Sequence, residues 1–232
     1  MTDRIELAAR NNALWCDGVC RSHRISGTFD CAAWSSSVRT PPLYPDAVTL
    51  SESAQALDLL QRIDASSGAS VKDSWARLDL TAAGFAPLLA GEWLWLDAND
   101  AGADPAGDGR TWRAVRSSAE MERWSRAWAS NPADAVILGP SLLEEEGVTV
   151  LAATEGEYLT AGCVVNVTGQ VAGISNVFAT DGDEARAWLG AAAAASAVAP
   201  GLPLVGWESG DGVAAARAAG FDTIGPLTVW SR

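Results

Sequence analysis

The run Thr180-Asp181-Gly182-Asp183-Glu184 stands between an apolar stretch, 171–179, and an alanine-rich segment with helical spacing, 183–198. A strand, a glycine-bearing loop and a helix N-terminus form an arrangement that holds phosphates in many folds, because bare amides and the helix dipole face the anion. Here Asp181, Asp183 and Glu184 crowd that loop. In a site short of water, each acid set against a phosphate costs on the order of 1 kcal/mol or more. The same acids stabilise a helix N-terminus by about 0.3–1 kcal/mol each with no ligand at all, and Thr180 or Asp181 can serve as the N-cap. A second chemical group is Glu208, at the C-terminal end of the apolar run 203–208, where open α/β sheets place functional groups; a solvated strand-end acid is the plainer alternative. Cys16-x3-Cys20-x2-His23, with Cys31 beyond, has the residue types of a zinc site. The three lie within one helical stretch and lack a second pair from another element, so buried free thiols are the expectation and no metal is assigned. His23 is the only histidine, which excludes a Ser-His-Asp triad built on any other. Glu144-Glu145-Glu146 reads as a solvated turn or as an attraction for a cationic amine.

The chain that must position these groups has 232 residues, 48% of them hydrophobic, enough to bury a core. Its net charge of −13 excludes nucleic acid and anionic membrane as main partners. Fifteen of the bases are arginine and Lys72 is the single lysine, a bias expected of a GC-rich bacterial genome. The N-terminal residues do not resemble a signal peptide, and the most apolar window, 187–205, is broken by Pro200 and Pro203. A cytoplasmic location with reduced cysteines is therefore expected.

Glycine, proline and aspartate dominate residues 98–110, which read as a linker between a domain over 1–100 and another over 111–232. Before it, the spacing predicts a helix over 4–23, an extended segment 40–45 leading to 47–50, a helix over 52–63 capped by Ser51, a strand over 69–76, a short helix over 78–84 and a strand over 86–96. After it come a strand at 111–116, a helix at 119–129 capped by Ser117 or Ser118, strands at 147–154, 158–168 and 171–179, the helix 183–198, a strand at 203–208, a helix at 211–219 and a strand at 223–230. Residues 69–96 and 203–230 echo one another. Both run strand, short helix, Ala-Ala-Gly-Phe, then an apolar strand ending in Trp, with Gly84-Phe85 and Gly220-Phe221 as matching helix ends.

That order of elements over 110–232, with Gly212 to Phe221 as the late helix and its Gly-Phe end, resembles the GCN5-related N-acetyltransferase (GNAT) family. The resemblance covers about 120 residues. The first domain resembles a truncated copy. The fold implied is α/β (α+β), a GNAT-like mixed, mostly antiparallel sheet flanked by helices, preceded by a smaller half-GNAT-like domain. The activity implied is N-acetyl transfer from acetyl-CoA to a small-molecule or peptide amine. The family holds the acyl arm on the strand corresponding to 171–179 and the pyrophosphate on the following loop. That places cofactor contacts at Val177, Phe178, Ala179, Thr180, Gly182 and Arg186. The family's Arg/Gln-x-x-Gly-x-Gly/Ala loop pattern is absent from 180–190, and Ala216 stands where a general-acid tyrosine is usual. Strand 171–179 holds no carboxylate, with Ser175 and Asn176 its only strongly polar residues and further catalytic candidates, which leaves Glu208 as the candidate base. The alternative function is a catalytically inactive GNAT-like module that binds a ligand or partner.

Overall fold

The computed structural model describes residues 3–98 and 109–232. The proposed linker, 98–110, therefore lies almost wholly outside the described residues.

One eleven-stranded sheet organises the molecule, in the order β1-β2-β3-β4-β11-β5-β10-β9-β8-β7-β6. Strands β1 (Thr28–Phe29), β2 (Ala33–Ser35), β3 (Ala47–Thr49), β4 (Ser70–Asp73) and β5 (Ala86–Leu96) come from the first half of the chain. Strands β6 (Thr111–Ala114), β7 (Val148–Glu155), β8 (Tyr158–Thr168), β9 (Val171–Ala179), β10 (Leu204–Glu208) and β11 (Asp222–Ser231) come from the second. Two pairs are parallel, β3–β4 and β9–β10, and the remaining pairs are antiparallel. The halves interlock, because β11 lies between β4 and β5, and β5 between β11 and β10.

The echo seen in the sequence is built into that seam. Moving 136 positions turns Gly91 into Leu227, and these two residues face each other. The same shift converts the pair Trp95↔Asp222 into Ser231↔Ala86, and Trp93↔Gly225 into Val229↔Leu89, all observed. Its two register irregularities, at Thr223/Gly225 and Val229/Trp230, exchange as well. The repeats thus pair through a local twofold between β5 and β11. Gly84 and Gly220 both take left-handed conformations, φ 81° and 96°, and drop Phe85 and Phe221 into the core, each 3% exposed or less.

Alternate residues of the same strands feed two layers. Val150, Ala152 and Val164 pack with Trp15 and Val19 of α1 (Arg4–Ser22) and with Met121 and Trp124 of α3 (Ser118–Trp128). Leu151, Cys163 and Val165 pack with α4 (Glu184–Val198) and α5 (Asp211–Ala218) on the other side. Helix α1 is bolted to the second half through two buried amides: Asn11 Nδ2 donates to the Asn166 carbonyl at 3.0 Å, and Asn166 Nδ2 donates to the Asn11 carbonyl at 3.1 Å.

Several local expectations are corrected. The helix expected over 52–63 is one short turn, α2 (Ala56–Leu60). Ser51 does not cap it; its hydroxyl accepts from Ser53 N in a tight turn that delays the helix. The helix expected over 78–84 is a 3-10 turn, Thr81–Ala83, because Asp79 draws Thr81 N and Thr81 Oγ1 onto its carboxylate. For α3 the structure selects Ser117, in a capping box with Glu120. For α4 neither Thr180 nor Asp181 is the cap; Asp183 is, accepting from Arg186 N. The hairpin β1–β2 was not foreseen, since two- and three-residue strands carry no readable period.

Candidate functional site

The site is made by two parallel strands that part company. β9 and β10 pair only at Ala172↔Leu204 and Gly173↔Val205. Gly206 sits at the fork, where a Cβ would come 2.8 Å from the Ile174 carbonyl oxygen. On its other side β9 carries a bulge: Asn176 and Val177 together oppose Cys163 of β8, between the pairs Ser175↔Val164 and Phe178↔Gly162. Asn176 supports the bulge at φ 53°, a left-handed conformation that asparagine tolerates better than most residues. Fork and bulge together open the sheet and turn Ser175 and Asn176 into the gap.

On the α1 side of that gap lies a cavity of about 240 Å³. Ser175, Asn176 and Glu208 line it, so the three residues the sequence singled out as catalytic candidates converge. Asn12, Trp15 and Cys16 of α1, Tyr44, Lys72, Trp128 and Trp207 complete the wall. On the α4 side a narrower groove of about 140 Å³ is lined by Val177, Phe178, Glu184, Ala187, Trp188 and again Glu208. Glu208 is the residue the two spaces share. Its Oε2 accepts from Ser209 N at 3.3 Å, and Gly212 leaves it room, since a Cβ there would lie 2.6 Å from Oε2. Burial raises its pKa to about 7, helped by the charge on Glu184. A carboxylate tuned there exchanges protons near neutral pH.

The cavity holds more polar chemistry than the sequence reading assigned to it. Lys72 is 4% exposed; its Nζ donates to Asn12 Oδ1 at 2.9 Å and lies 4.1 Å from the Trp207 ring centroid. Burial lowers its pKa to about 8. Ser175 Oγ is buried with no hydrogen bond to the protein. The buried Tyr44 hydroxyl, whose pKa burial pushes up, lies beside the Asn176 amide and Trp15, whose hydrogen bonding opposes that push. Tyr44 is delivered by the extended segment at 40–45: Thr40 Oγ1 donates to the Tyr44 carbonyl at 2.7 Å, and Asp46 accepts from Thr40 N and Ser70 N. The one available signal for Lys72 was its being the sole lysine of the chain.

The remaining candidates fall along the groove and its loop. Val177 and Phe178 line the groove, while the Phe178 ring meets Trp124 of α3 edge-on at 5.2 Å in the core on the α1 side. Ala179 ends β9 opposite Ala161. Thr180 is tied back to β8, through its N to the Thr160 carbonyl and its hydroxyl to the Leu159 carbonyl. Gly182 has φ 78° with open space around it. Arg186 pairs with Glu155 at 2.6 Å.

The groove has room for a slender arm, between Val177 and Trp188 on one hand and Glu184 and Glu208 on the other, but the loop does not fit a pyrophosphate. Asp181 Oδ1 accepts from Asp183 N at 3.1 Å, and Asp183 Oδ1 accepts from Arg186 N at 3.1 Å. Asp181 Oδ2 pairs with the buried Arg110 at 2.6 Å. Carboxylate oxygens thus occupy positions from which amides would reach a phosphate. Backbone hydrogen bonding, with Arg110 beside it, holds the Asp181 carboxyl below the usual carboxylate range.

Two other features carry less. A depression of about 720 Å³ runs between α1 and the β8–β9 hairpin, but its buried amides, Asn11 and Asn166, satisfy each other. Cys16 and Cys20 are buried, and His23 Nε2 lies 2.7 Å from the Ile137 carbonyl oxygen. Among the described residues no group of three His, Cys, Asp or Glu is placed to hold a metal ion, and no helix is long and apolar enough to cross a membrane.

No protein-family model matches the chain, and no curated protein matches it. Solved structures do. A GCN5-related N-acetyltransferase from Kribbella flavida superposes with a TM-score of 0.64 at 16% identity, covering 97% of this chain and 95% of that one. A putative GNAT-family acetyltransferase from Novosphingobium aromaticivorans gives 0.56 at 15% identity over 97% and 98%. A conserved protein of unknown function from Staphylococcus epidermidis gives 0.60 at 13% identity over 91% and 96%. At these identities the likeness is one of fold, and the expected mixed, mostly antiparallel sheet flanked by helices is the one observed.

Proposed function

From a chain with the fold of the GCN5-related N-acetyltransferases, we propose an N-acyltransferase that acts on the amine of a small molecule. The observation that carries this reading is Glu208, one carboxylate shared by two spaces on opposite sides of a parted sheet. An amine acceptor enters from the α1 side, into the 240 Å³ cavity. It arrives as an ammonium, which the Glu208 carboxylate attracts and deprotonates. The free amine is the form able to take an acyl group, and a base with a pKa of about 7 suits that proton transfer at neutral pH. Ser175 and Asn176 supply buried polar atoms that orient the acceptor against the fork. An acyl-thioester donor such as acetyl-CoA supplies an activated carbonyl when bound. With the loop closed by Asp181 and Asp183, its affinity rests on the narrow groove alone and is weak.

The test is isothermal titration with acetyl-CoA, followed by an acetylation assay over a panel of small amines and peptides. Weak binding with turnover lost in Glu208→Gln supports the reading. No binding at millimolar acetyl-CoA and no transfer to any amine overturns it.

A further inference from the structure

We propose that the 240 Å³ cavity takes a free amino acid or a close analogue, with Lys72 receiving the carboxylate and Glu208 the amine. This rests on the acyltransferase reading for the role of the amine, and it narrows the acceptor to a zwitterion of amino-acid size. Lys72 belongs to β4, in the first half of the chain, yet its ammonium lies over the ring of Trp207 on β10, in the second. Every other basic position in the chain is arginine; the single lysine is the one buried against this cavity. An ammonium has three donors, and the described residues give this one a single hydrogen bond, to Asn12 Oδ1. No carboxylate among the described residues lies within 4.0 Å of it, and the Cys16 thiol is the neighbour that bears on its charge. A buried charge without a counter-ion is costly and uncommon. Around the same space stand the buried Ser175 Oγ and the Tyr44 hydroxyl, the latter beside the Asn176 amide and Trp15. A carboxylate entering here meets a cation with two donors to spare and a buried serine hydroxyl.

The rest of the wall sets the size and body of the ligand. At about 30 Å³ per molecule, the cavity has room for about eight waters. That suits a single amino acid. Trp15, Trp128 and Trp207 offer aromatic surface to an apolar side chain, with Leu43 and Pro45 at the other side. Opposite charges at two walls of one small cavity favour a molecule that carries both, and penalise a plain amine, which would leave Lys72 unpaired.

Saturation-transfer NMR and calorimetry on the full chain test this without any acyl donor. The probes are the twenty common amino acids at millimolar concentration, then for each binder the matched amine lacking the carboxylate, for example L-phenylalanine against phenethylamine. At least one amino acid is expected to bind, and at least tenfold more tightly than its decarboxylated partner. Lys72→Gln is expected to erase that difference while leaving the amine's own affinity in place. The comparison of the two probes on the unaltered protein stands even if the variant folds poorly. An amine that binds as well as its amino acid, or no amino acid binding at all, overturns the proposal. Acyl transfer to simple amines with no carboxylate dependence sinks it and spares the acyltransferase reading. Carboxylate-dependent binding with no acyl transfer does the reverse.

Discussion

Replacing Lys72 with methionine removes the charge and keeps most of the volume, and its consequence can be worked out with its sign. Burial moves the Lys72 pKa from 10.5 down to about 8. Its folded value lies below its unfolded value, so the cost of holding it charged is fully present below about pH 8 and is relieved as pH rises toward 10.5. At about 1.4 kcal/mol per pKa unit, the full cost is on the order of 3 kcal/mol. The hydrogen bond to Asn12 and the contact with the Trp207 ring return part of that, about 1–3 kcal/mol for each in a desolvated setting. The net effect of Lys72→Met at pH 7 is therefore small, between neutral and mildly stabilising. The pH dependence is the sharper quantity. Between pH 7 and pH 9 the unaltered protein recovers about 1 kcal/mol as Lys72 sheds its proton, and the methionine variant recovers none of it. The buried thiols act the other way: burial raises Cys16 to about 11 and Cys20 to about 12, so their cost grows above pH 9. Losing Lys72 pushes the Cys16 thiol further up, but both thiols already stay protonated in the folded protein at pH 9, so the difference between the two proteins over this range reports the lysine. Urea unfolding followed by tryptophan fluorescence at the two pH values reads the difference directly. In thermal melts it corresponds to roughly 2–4 °C for a chain of this size. If the stability gap between the two proteins stays constant within a few tenths of a kcal/mol from pH 7 to pH 9, Lys72 is not a buried, unpaired cation. The amino-acid site would then lose its footing.

Three further perturbations probe other links. Glu208→Gln should lower turnover at least about 100-fold and remove the rise of kcat/KM expected of the native protein as pH climbs through about 7, where Glu208 becomes a base; a variant that keeps that rise clears Glu208 of the role. Asp181→Asn should lower the melting temperature, because the buried Arg110 loses its carboxylate at 2.6 Å, while raising acetyl-CoA affinity in calorimetry, because a carboxylate leaves the loop. Unchanged or weaker affinity would show that the acids are not what closes the cradle. Gly173→Ala places a Cβ 2.0 Å from Asn11 Oδ1 and 2.2 Å from Asn166 Oδ1, breaking the clasp between α1 and the sheet. A loss of about 2–4 kcal/mol in urea unfolding is expected, and a loss under 1 kcal/mol would mean the clasp adjusts freely.

What could be read from the sequence, and what could not, follows from how far each signal travels along the chain. The long elements were legible, because eleven residues of β8 or fifteen of α4 repeat their period often enough to be seen. The Ala-Ala-Gly-Phe echo was legible too, since both glycines must take a left-handed helix end, and it foreshadowed the twofold seam between β5 and β11. Ser175, Asn176 and Glu208 could be picked out because they are polar groups at the open ends of apolar strands. Nothing local marked Tyr44 or Lys72. Each lies in a segment whose neighbours in sequence explain only its own strand or turn, and each reaches the cavity only because β11 threads between β4 and β5 and brings the first half of the chain beneath α1. The loop at 180–186 shows the opposite limit. Its acids were visible from the start, but a first-turn acid that stabilises a helix and one that fills a phosphate's place are the same residue in the same position. The bonds from Asp183 N to Asp181 and from Arg186 N to Asp183 establish the first role, and the Asp181→Asn titration decides the second. The helix gains its cap from one of these acids. The polar groups left for a ligand to meet lie instead in the cavity behind the fork, where the buried Lys72 and the half-buried Glu208 line one space.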